Sequence, residues 1–486
     1  MIFGMWGRCL SNAHKVLVVP LLIAVGACLA MPAHAGRLEA GSFTAHDTSA
    51  NSLPVRVNFQ QTFDTVPVVV ALLGNNGSDA AKIRITNVST TGFDELILEP
   101  DSFDGPHAAE TIHYLAVEPG RHVLPDGRII EAGLASVSAV QHGSGVAGPE
   151  SWASVSFSAP LQGTASLISH IQTANSETRT VASQSSQPFL TATTQNLSAT
   201  GFQVALERSE TSGGPIPSSE TVGWVAFPAG FSGTFPDISS STITWSAVNS
   251  ANNIRGWDNG CFTSSFGQTS ASAIVIAKKN SHNGGDGGWL RRCSLSSTTI
   301  GLTVDEDTSR DTERGHISES ASIIAFSGSF HANLRPNISV SKTSVSFTDT
   351  LGGGFALPSA TVEYLISVQN SGNAPPNYNS LVITEALPAQ MALVVTDFGG
   401  GTLGPVQFQE GSPASGLVYS FIALGSTTDS ISFSTDGLNF NYTPIDSGDS
   451  TDASVTHIRI TPTGYLAPDT GSGPAGFNLR LRGKIK

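Results

Sequence analysis

Apolar and polar positions alternate along this chain in short runs. Val55-Arg-Val-Asn-Phe59 and Ile83-Arg-Ile-Thr-Asn87 alternate with a period of two, and Val68-Val-Val-Ala-Leu72 is apolar throughout. Turn residues bound the runs, with Asn76-Gly77 and Asp104-Gly105 as clear turn signals. No window holds a period of 3.6 over a helical length, so the pattern predicts an all-β protein. A sheet with one apolar face needs a second sheet over it, and about six such runs per module predict antiparallel β-sandwiches.

The runs come in three copies of one phrase. Asn87-Val-Ser-Thr-Thr-Gly-Phe93 is followed by Glu110-Thr-Ile-His-Tyr-Leu-Ala-Val117, and Asn196-Leu-Ser-Ala-Thr-Gly-Phe202 by Glu220-Thr-Val-Gly-Trp-Val-Ala-Phe227. A worn copy pairs Ser294-Leu-Ser-Ser-Thr-Thr-Ile300 with Glu319-Ser-Ala-Ser-Ile-Ile-Ala-Phe326. The aromatic or Ile precedes the Glu by 17, 18 and 19 residues. An earlier anchor repeats as Phe59-x-x-x-Phe63, Phe157-x-x-x-Leu161 and Phe262-x-x-x-Phe266, with Trp152 and Trp257 ahead of the last two. Regular self-similarity means tandem modules. Cuts fall at 36–133, 134–231 and 232–331, with an insertion at Thr173–Gln187 in the second module.

The phrase is absent after Phe330. Ala360-Thr-Val-Glu-Tyr-Leu-Ile-Ser-Val-Gln-Asn-Ser-Gly372 and Asn379-Ser-Leu-Val-Ile-Thr-Glu-Ala-Leu-Pro388 read as two strands about an Asn-Ser-Gly turn. The final strand sets Phe477, Leu479 and Leu481 on one face. An Ig-like sandwich over 332–486 is expected.

Composition narrows the setting. Arg8, Lys15, the apolar stretch Val16–Leu29 and Ala33-His34-Ala35 form a secretory signal with a mature start at Gly36, although Val25-Gly26-Ala27-Cys28 also has the shape of a lipobox. No later stretch has the length and apolarity of a membrane-spanning helix. Removing the leader leaves 22 basic against 38 acidic residues, about −16 in all, with no basic run interleaved with aromatics. Nucleic acid is therefore an unsuitable partner. Cys9 and Cys28 leave with the leader, and Cys261 and Cys293 remain as an expected disulfide in an oxidising compartment. Closing that loop stabilises by about 3 kcal/mol.

The pattern Phe59, Phe63, Pro67, Val69, then Asn87 to Phe93, then His113 to Ala116, resembles the H-type lectin domain. The likeness covers most of the first module, half of the second and, weakly, the third. It implies six-stranded sandwiches that bind sugars and assemble in threes, so the tandem copies are expected to fold as an intramolecular pseudo-trimer. Val362–Gly372 and Ile383–Pro388 resemble an Ig-like conserved repeat of bacterial surface proteins, which implies a stalk. Both point to an exported protein, secreted or on a bacterial surface, that recognises glycans or surface proteins. The alternative is a structural or adhesion component with the sandwiches as spacers.

The candidate ligand-binding residues are His107, Glu110, Tyr114, Glu220, Trp224, His316 and Glu319. His107-x-x-Glu110 recurs as His316-x-x-Glu319, whereas the second module has Pro217 before Glu220. A carboxylate can accept a sugar hydroxyl, or it can accept backbone N–H groups and cap a loop. The loop reading suits a Glu present in all copies beside a His that is not. Tyr114 and Trp224 read as core residues or as a sugar platform. Asp305–Asp311 reads as a solvated acidic loop, with Ca²⁺ binding as its alternative. The chain holds no Gly-x-Ser-x-Gly elbow, His-Glu-x-x-His helix or phosphate loop, so no enzyme is expected.

Overall fold

The computed structural model describes residues 36–46, 54–100, 107–141, 150–177, 189–208, 216–285, 287–308, 312–399 and 404–486. The leader reading and Asp104-Gly105 lie outside them. The described residues are all-β, with antiparallel pairing almost throughout and a single 3₁₀ turn at Trp257–Asn259. Among them no helix is long and apolar enough to cross a membrane.

One topology recurs three times. In the first module the strands Gly36–Ala45, Glu110–Val117 and Val68–Leu72 lie side by side, and Val55–Asn58, Gly92–Leu98 and Lys82–Ser89 form a second sheet. Alternate residues of both sheets, including Val69, Ala71, Ile112 and Tyr114 from one and Val57, Ile83 and Phe93 from the other, share a core. The second module repeats this with Ile129–Val137, Glu220–Pro228 and Ala165–Ile171 against Ala153–Ser156, Gly201–Arg208 and Leu190–Gln195. The third uses Thr242–Asn249, Ala321–Phe326 and Ile274–Lys279 against Phe262–Ser265, Thr299–Asp305 and Trp289–Leu295. The cut at 133 falls inside the strand Ile129–Val137, because Arg128-Ile-Ile-Glu-Ala-Gly133 is itself the strand that opens the second module.

Each large sheet has a fourth strand, borrowed in cyclic order. Gly120–Val123, which follows the last strand of the first module, pairs with the opening strand of the second. Phe231–Pro236 follows the second module and pairs with the opening strand of the third. Phe330–Leu334 follows the third and returns to Gly36–Ala45, in the register Phe330↔Ala40 to Leu334↔Gly36. The ring is thereby closed.

The centre of the ring is apolar because its strands are. Val68–Leu72 is buried along its whole length. Val69 and Ala71 face the core of their own module, while Val68, Val70 and Leu72 face a central cluster with Ile168, Val225, Phe227, Ile274 and Ile276 from the other two. A strand covered on both faces reads as a continuous apolar run rather than an alternation. The three strands Val68–Leu72, Ala165–Ile171 and Ile274–Lys279 all touch one another.

Residues beyond Asn337 build a six-stranded sheet and a three-stranded sheet around a separate core. In Thr361–Asn370 the alternate residues Val362, Tyr364, Ile366 and Val368 are buried, and Phe477, Leu479 and Leu481 pack with them. Only Arg335-Pro336-Asn337 separates this region from the closing strand. Asn373 accepts from the Arg335 N–H at 2.8 Å and donates to the Asn333 carbonyl at 3.0 Å, and Ala374 joins the central cluster of the ring. Cys261 and Cys293 are joined as a disulfide.

Closure through Phe330–Leu334 is expected to govern the stability of all three modules. Phe330 is fully buried, with its ring 5.0 Å from Phe235 and 4.9 Å from Phe326. Phe330→Ala should lower stability by about 3–5 kcal/mol. In urea unfolding the three modules should still melt in one transition, and loss of the third module alone would contradict a shared core.

Candidate functional site

The seven candidate residues are all inside. Glu110, Glu220 and Glu319 are 0–1% exposed, and His107, Tyr114, Trp224 and His316 are 3–5% exposed. Tyr114 and Trp224 pack in the cores of their modules, Tyr114 donating to Glu39 at 2.7 Å. None of the seven presents a platform to a ligand at the surface.

What the glutamates do is the same three times. Glu110 accepts from the N–H of Asn76 at 2.8 Å and of Gly77 at 3.0 Å. Glu220 accepts from Asn175 at 3.1 Å and Ser176 at 2.7 Å. Glu319 accepts from Asn283 at 2.8 Å and Gly284 at 3.1 Å. Each asparagine amide then donates back to the carbonyl just before its glutamate: Asn76 to Ala109 at 2.9 Å, Asn175 to Ser219 at 2.8 Å, Asn283 to Ser318 at 2.9 Å. The carboxylate thus caps the loop leaving the third strand, and buried N–H groups acquire a partner. Gly77 and Gly284 are required here. A Cβ at Gly77 would meet His107 Cε1 at 2.8 Å, and one at Gly284 would meet His316 Cε1 at 2.3 Å.

The Asn-Gly and Asn-Ser pairs are a further repeat that the spacing of the main phrase does not reveal. They stand 34, 45 and 36 residues before their glutamates, and the insertion in the second module breaks the period. Asn76-Gly77 by itself signals a turn, and its hydrogen-bond partner arrives only with folding.

The histidines hold the same carboxylates in two modules. His107 lies 2.6 Å from Glu99 and 3.3 Å from Glu110, and His316 sits between Glu306 and Glu319. Burial opposes a charge on each ring, but the carboxylate hydrogen bonds outweigh it and raise both pKa values. Glu319 moves the other way. Burial disfavours its ionised form, yet His316, Lys279, Ser281 and the Asn283 N–H together hold it down to about 2.

Charge crosses every joint of the ring beside these glutamates. Arg291 of the third module reaches Glu110 of the first at 2.7 Å and its own Asp305 at 3.0 Å. Lys82 and Arg84 of the first module share Glu177 of the second, Lys82 at 2.5 Å. At the third joint the signs reverse: Lys279 of the third module meets Glu207 of the second at 3.0 Å. The expected solvated acidic loop belongs to this network instead. Asp305, Glu306 and Asp307 are buried, Asp305 between Arg291 and Arg314 and Glu306 on His316. Residues 309–311 of that loop lie outside the described residues. Among the described residues no group of three or more His, Cys, Asp or Glu side chains is placed to hold a metal ion.

One exposed concave surface lies at a junction. A groove of about 640 Å³ runs between the second module and the C-terminal region, lined by Arg121, Ser158, Gln162, Asn377, Tyr378 and Tyr465 among others. Tyr378 is 58% exposed, and its ring stands edge-on to Tyr465 with centroids 4.9 Å apart. Tyr465 packs on the core of the second module. Arg121 is fixed by Glu131 at 3.1 Å and the Ala159 carbonyl at 2.7 Å, and Gln162 by the Ile129 N–H and the Gly127 carbonyl. Ligand grooves favour domain junctions and combine aromatic surface with a few fixed polar groups. No family model, curated protein or solved structure matches the chain.

Glu319→Gln keeps the shape of the side chain and removes its charge, leaving Lys279 and His316 without it. A loss of about 3–5 kcal/mol at neutral pH is expected. A carboxylate whose pKa is depressed on folding stabilises above its unfolded value of 4.5, and that stability is lost as pH falls toward about 2. The melting temperature of the wild type should therefore fall steeply between those limits and that of the variant less so. Parallel curves would exclude this role for Glu319.

Proposed function

We propose that this chain is an exported, non-catalytic carbohydrate-binding protein of a cell surface or its surroundings, and that it takes a saccharide in the groove beside Tyr378. The exposed, edge-braced Tyr378 above fixed polar groups supports this reading. A sugar ring offers a C–H face that covers an aromatic side chain and hydroxyls that need donors and acceptors at the rim. The uncommitted amide of Asn377 and the hydroxyls of Tyr378 and Tyr465 can supply these. The likeness of the repeats to H-type lectin domains agrees in ligand class. It does not agree in place, because the residues shared among the copies are enclosed.

That enclosure favours a second reading, in which the ring and the C-terminal region are a structural or adhesive unit of the surface. Hydroxyl bonds to a sugar compete with water and contribute about 1 kcal/mol each, so single-site binding is expected to be weak. A glycan array should show signal that free sugar competes away. Tyr378→Ala should lower that signal at least about tenfold, the loss of roughly 1.4 kcal/mol, with an unchanged melting temperature because the side chain is largely exposed. Retention on whole cells that sugar does not elute would favour the structural reading.

A further inference from the structure

The centre of the ring opens into a basic pocket. Leu72, His170 and Lys278 are equivalent in the three modules, for each pairs with the residue three beyond its repeated glutamate: His113, Gly223 and Ser322. Two residues earlier in each strand stand Val70, Ile168 and Ile276, in the central apolar cluster. The apolar centre thus ends where His170 and Lys278 replace an aliphatic side chain. Lys82 and Arg84 complete a cavity of about 50 Å³, whose lining includes Thr191 and Trp289 and, among the described residues, contains no acidic side chain.

The charges there do not balance. Lys82 and Arg84 both use the carboxylate of Glu177, and both donate to the Leu190 carbonyl at 2.8 Å. His170 lies 3.1 Å from the Ile83 carbonyl through Nε2, and burial together with Lys278 pulls its pKa down to about 3, so it adds no charge. Lys278 makes no hydrogen bond or ion pair among the described residues. Glu207, which attracts it, is already held by Lys279 and His282 at 3.0 Å each. The residues between Glu177 and Phe189 include Arg179 and no acid. Two cations therefore share the carboxylate of Glu177, and Lys278, drawn toward Glu207, has no ion pair among the described residues. Burial, aided by Lys279 and Arg84 against the pull of Glu207, brings Lys278 down to about 8, and burial brings Lys82 down to about 7. Lys82 and Arg84 are buried and Lys278 is half-buried, and a cation held away from water without a partner is costly and is relieved by an anion or by loss of its proton.

We propose that this pocket binds a small oxyanion of the size of phosphate or sulfate, held by Lys278 with Lys82, Arg84 and the Thr191 hydroxyl. A cavity of about 50 Å³ holds on the order of four water-sized probes, room for a tetrahedral oxyanion. Charge-assisted donors suit such an ion. The site is independent of the Tyr378 groove and of whether that groove binds sugar.

The test is thermal unfolding of the purified protein in sodium sulfate and sodium phosphate, against sodium chloride at equal ionic strength. Both oxyanions should raise Tm beyond the chloride control, by about 2 °C for each tenfold rise in concentration above Kd. Lys278→Met should remove that response while melting, without added oxyanion, at or above the wild-type temperature. An equal response in the variant, or none beyond chloride in the wild type, overturns the proposal. If Lys278→Met does not fold, the wild type decides the matter with sulfate at about pH 6 and about pH 9. A stronger response is expected at the lower pH, where Lys82 and Lys278 carry their protons, and an equal response at both overturns the site.

Discussion

An edge strand that is apolar on both faces cannot stand in water, and it also leaves one row of backbone N–H groups without partners. Val68–Leu72 is such a strand, and Ala165–Ile171 and Ile274–Lys279, buried along most of their length, stand at the equivalent border of their own sheets. The molecule answers by turning the three edges toward one another. His113 of the first module accepts the Val275 N–H of the third at 3.0 Å, and Ser322 of the third accepts the Leu167 N–H of the second at 3.0 Å. The equivalent Gly223 has no side chain, and a Cβ there would stand 1.7 Å from Gln172 Oε1 and 2.9 Å from Val68 of the first module. Edges that would invite aggregation are thereby consumed internally. Tandem linkage does for one chain what assembly does for three.

The polar joints follow from that geometry. Loops leaving the buried edges enter the ring with unpaired N–H groups, and a glutamate from the adjoining strand caps each. Beside these caps, buried carboxylates meet cations from across the joints. The source differs at each joint: Arg291 onto Glu110, Lys82 and Arg84 onto Glu177, and Lys279 onto Glu207 with the sign reversed. Replacing such pairs with apolar residues is often neutral for stability, whereas removing one partner is not. The three otherwise similar joints thus carry distinct charge patterns.

Much of this fold was legible in the sequence and little of the site was. The alternation in Val55–Phe59, the repeated Phe anchors and the phrase ending in Glu and Ala announce strands and tandem modules. Phe477, Leu479 and Leu481 share a buried face as their spacing indicates. His107 and His316, beside a recurrent glutamate, look like ligand residues because His-x-x-Glu is chemically capable wherever it is exposed. Exposure is what a spacing does not carry. Asp305–Asp307 likewise looks solvated until Arg291 of the adjacent strand and Arg314 of the following loop are brought to it. Tyr378 and Tyr465 are 87 residues apart and share no pattern, so their groove has no linear signature.

The order of amino acids alone determined the all-β class and the pairing of Cys261 with Cys293, because periodicity and parity are properties of a line. The tertiary structure decided which apolar runs are covered twice, which carboxylates face a neighbour's cation and where an uncompensated lysine remains. Those depend on contacts between residues from about 70 to nearly 300 positions apart, such as Lys279 with Glu207 and His331 with Glu39. Burial and charge balance are sums over all neighbours in space, and the thrice-written phrase acquires its role only when its three copies meet.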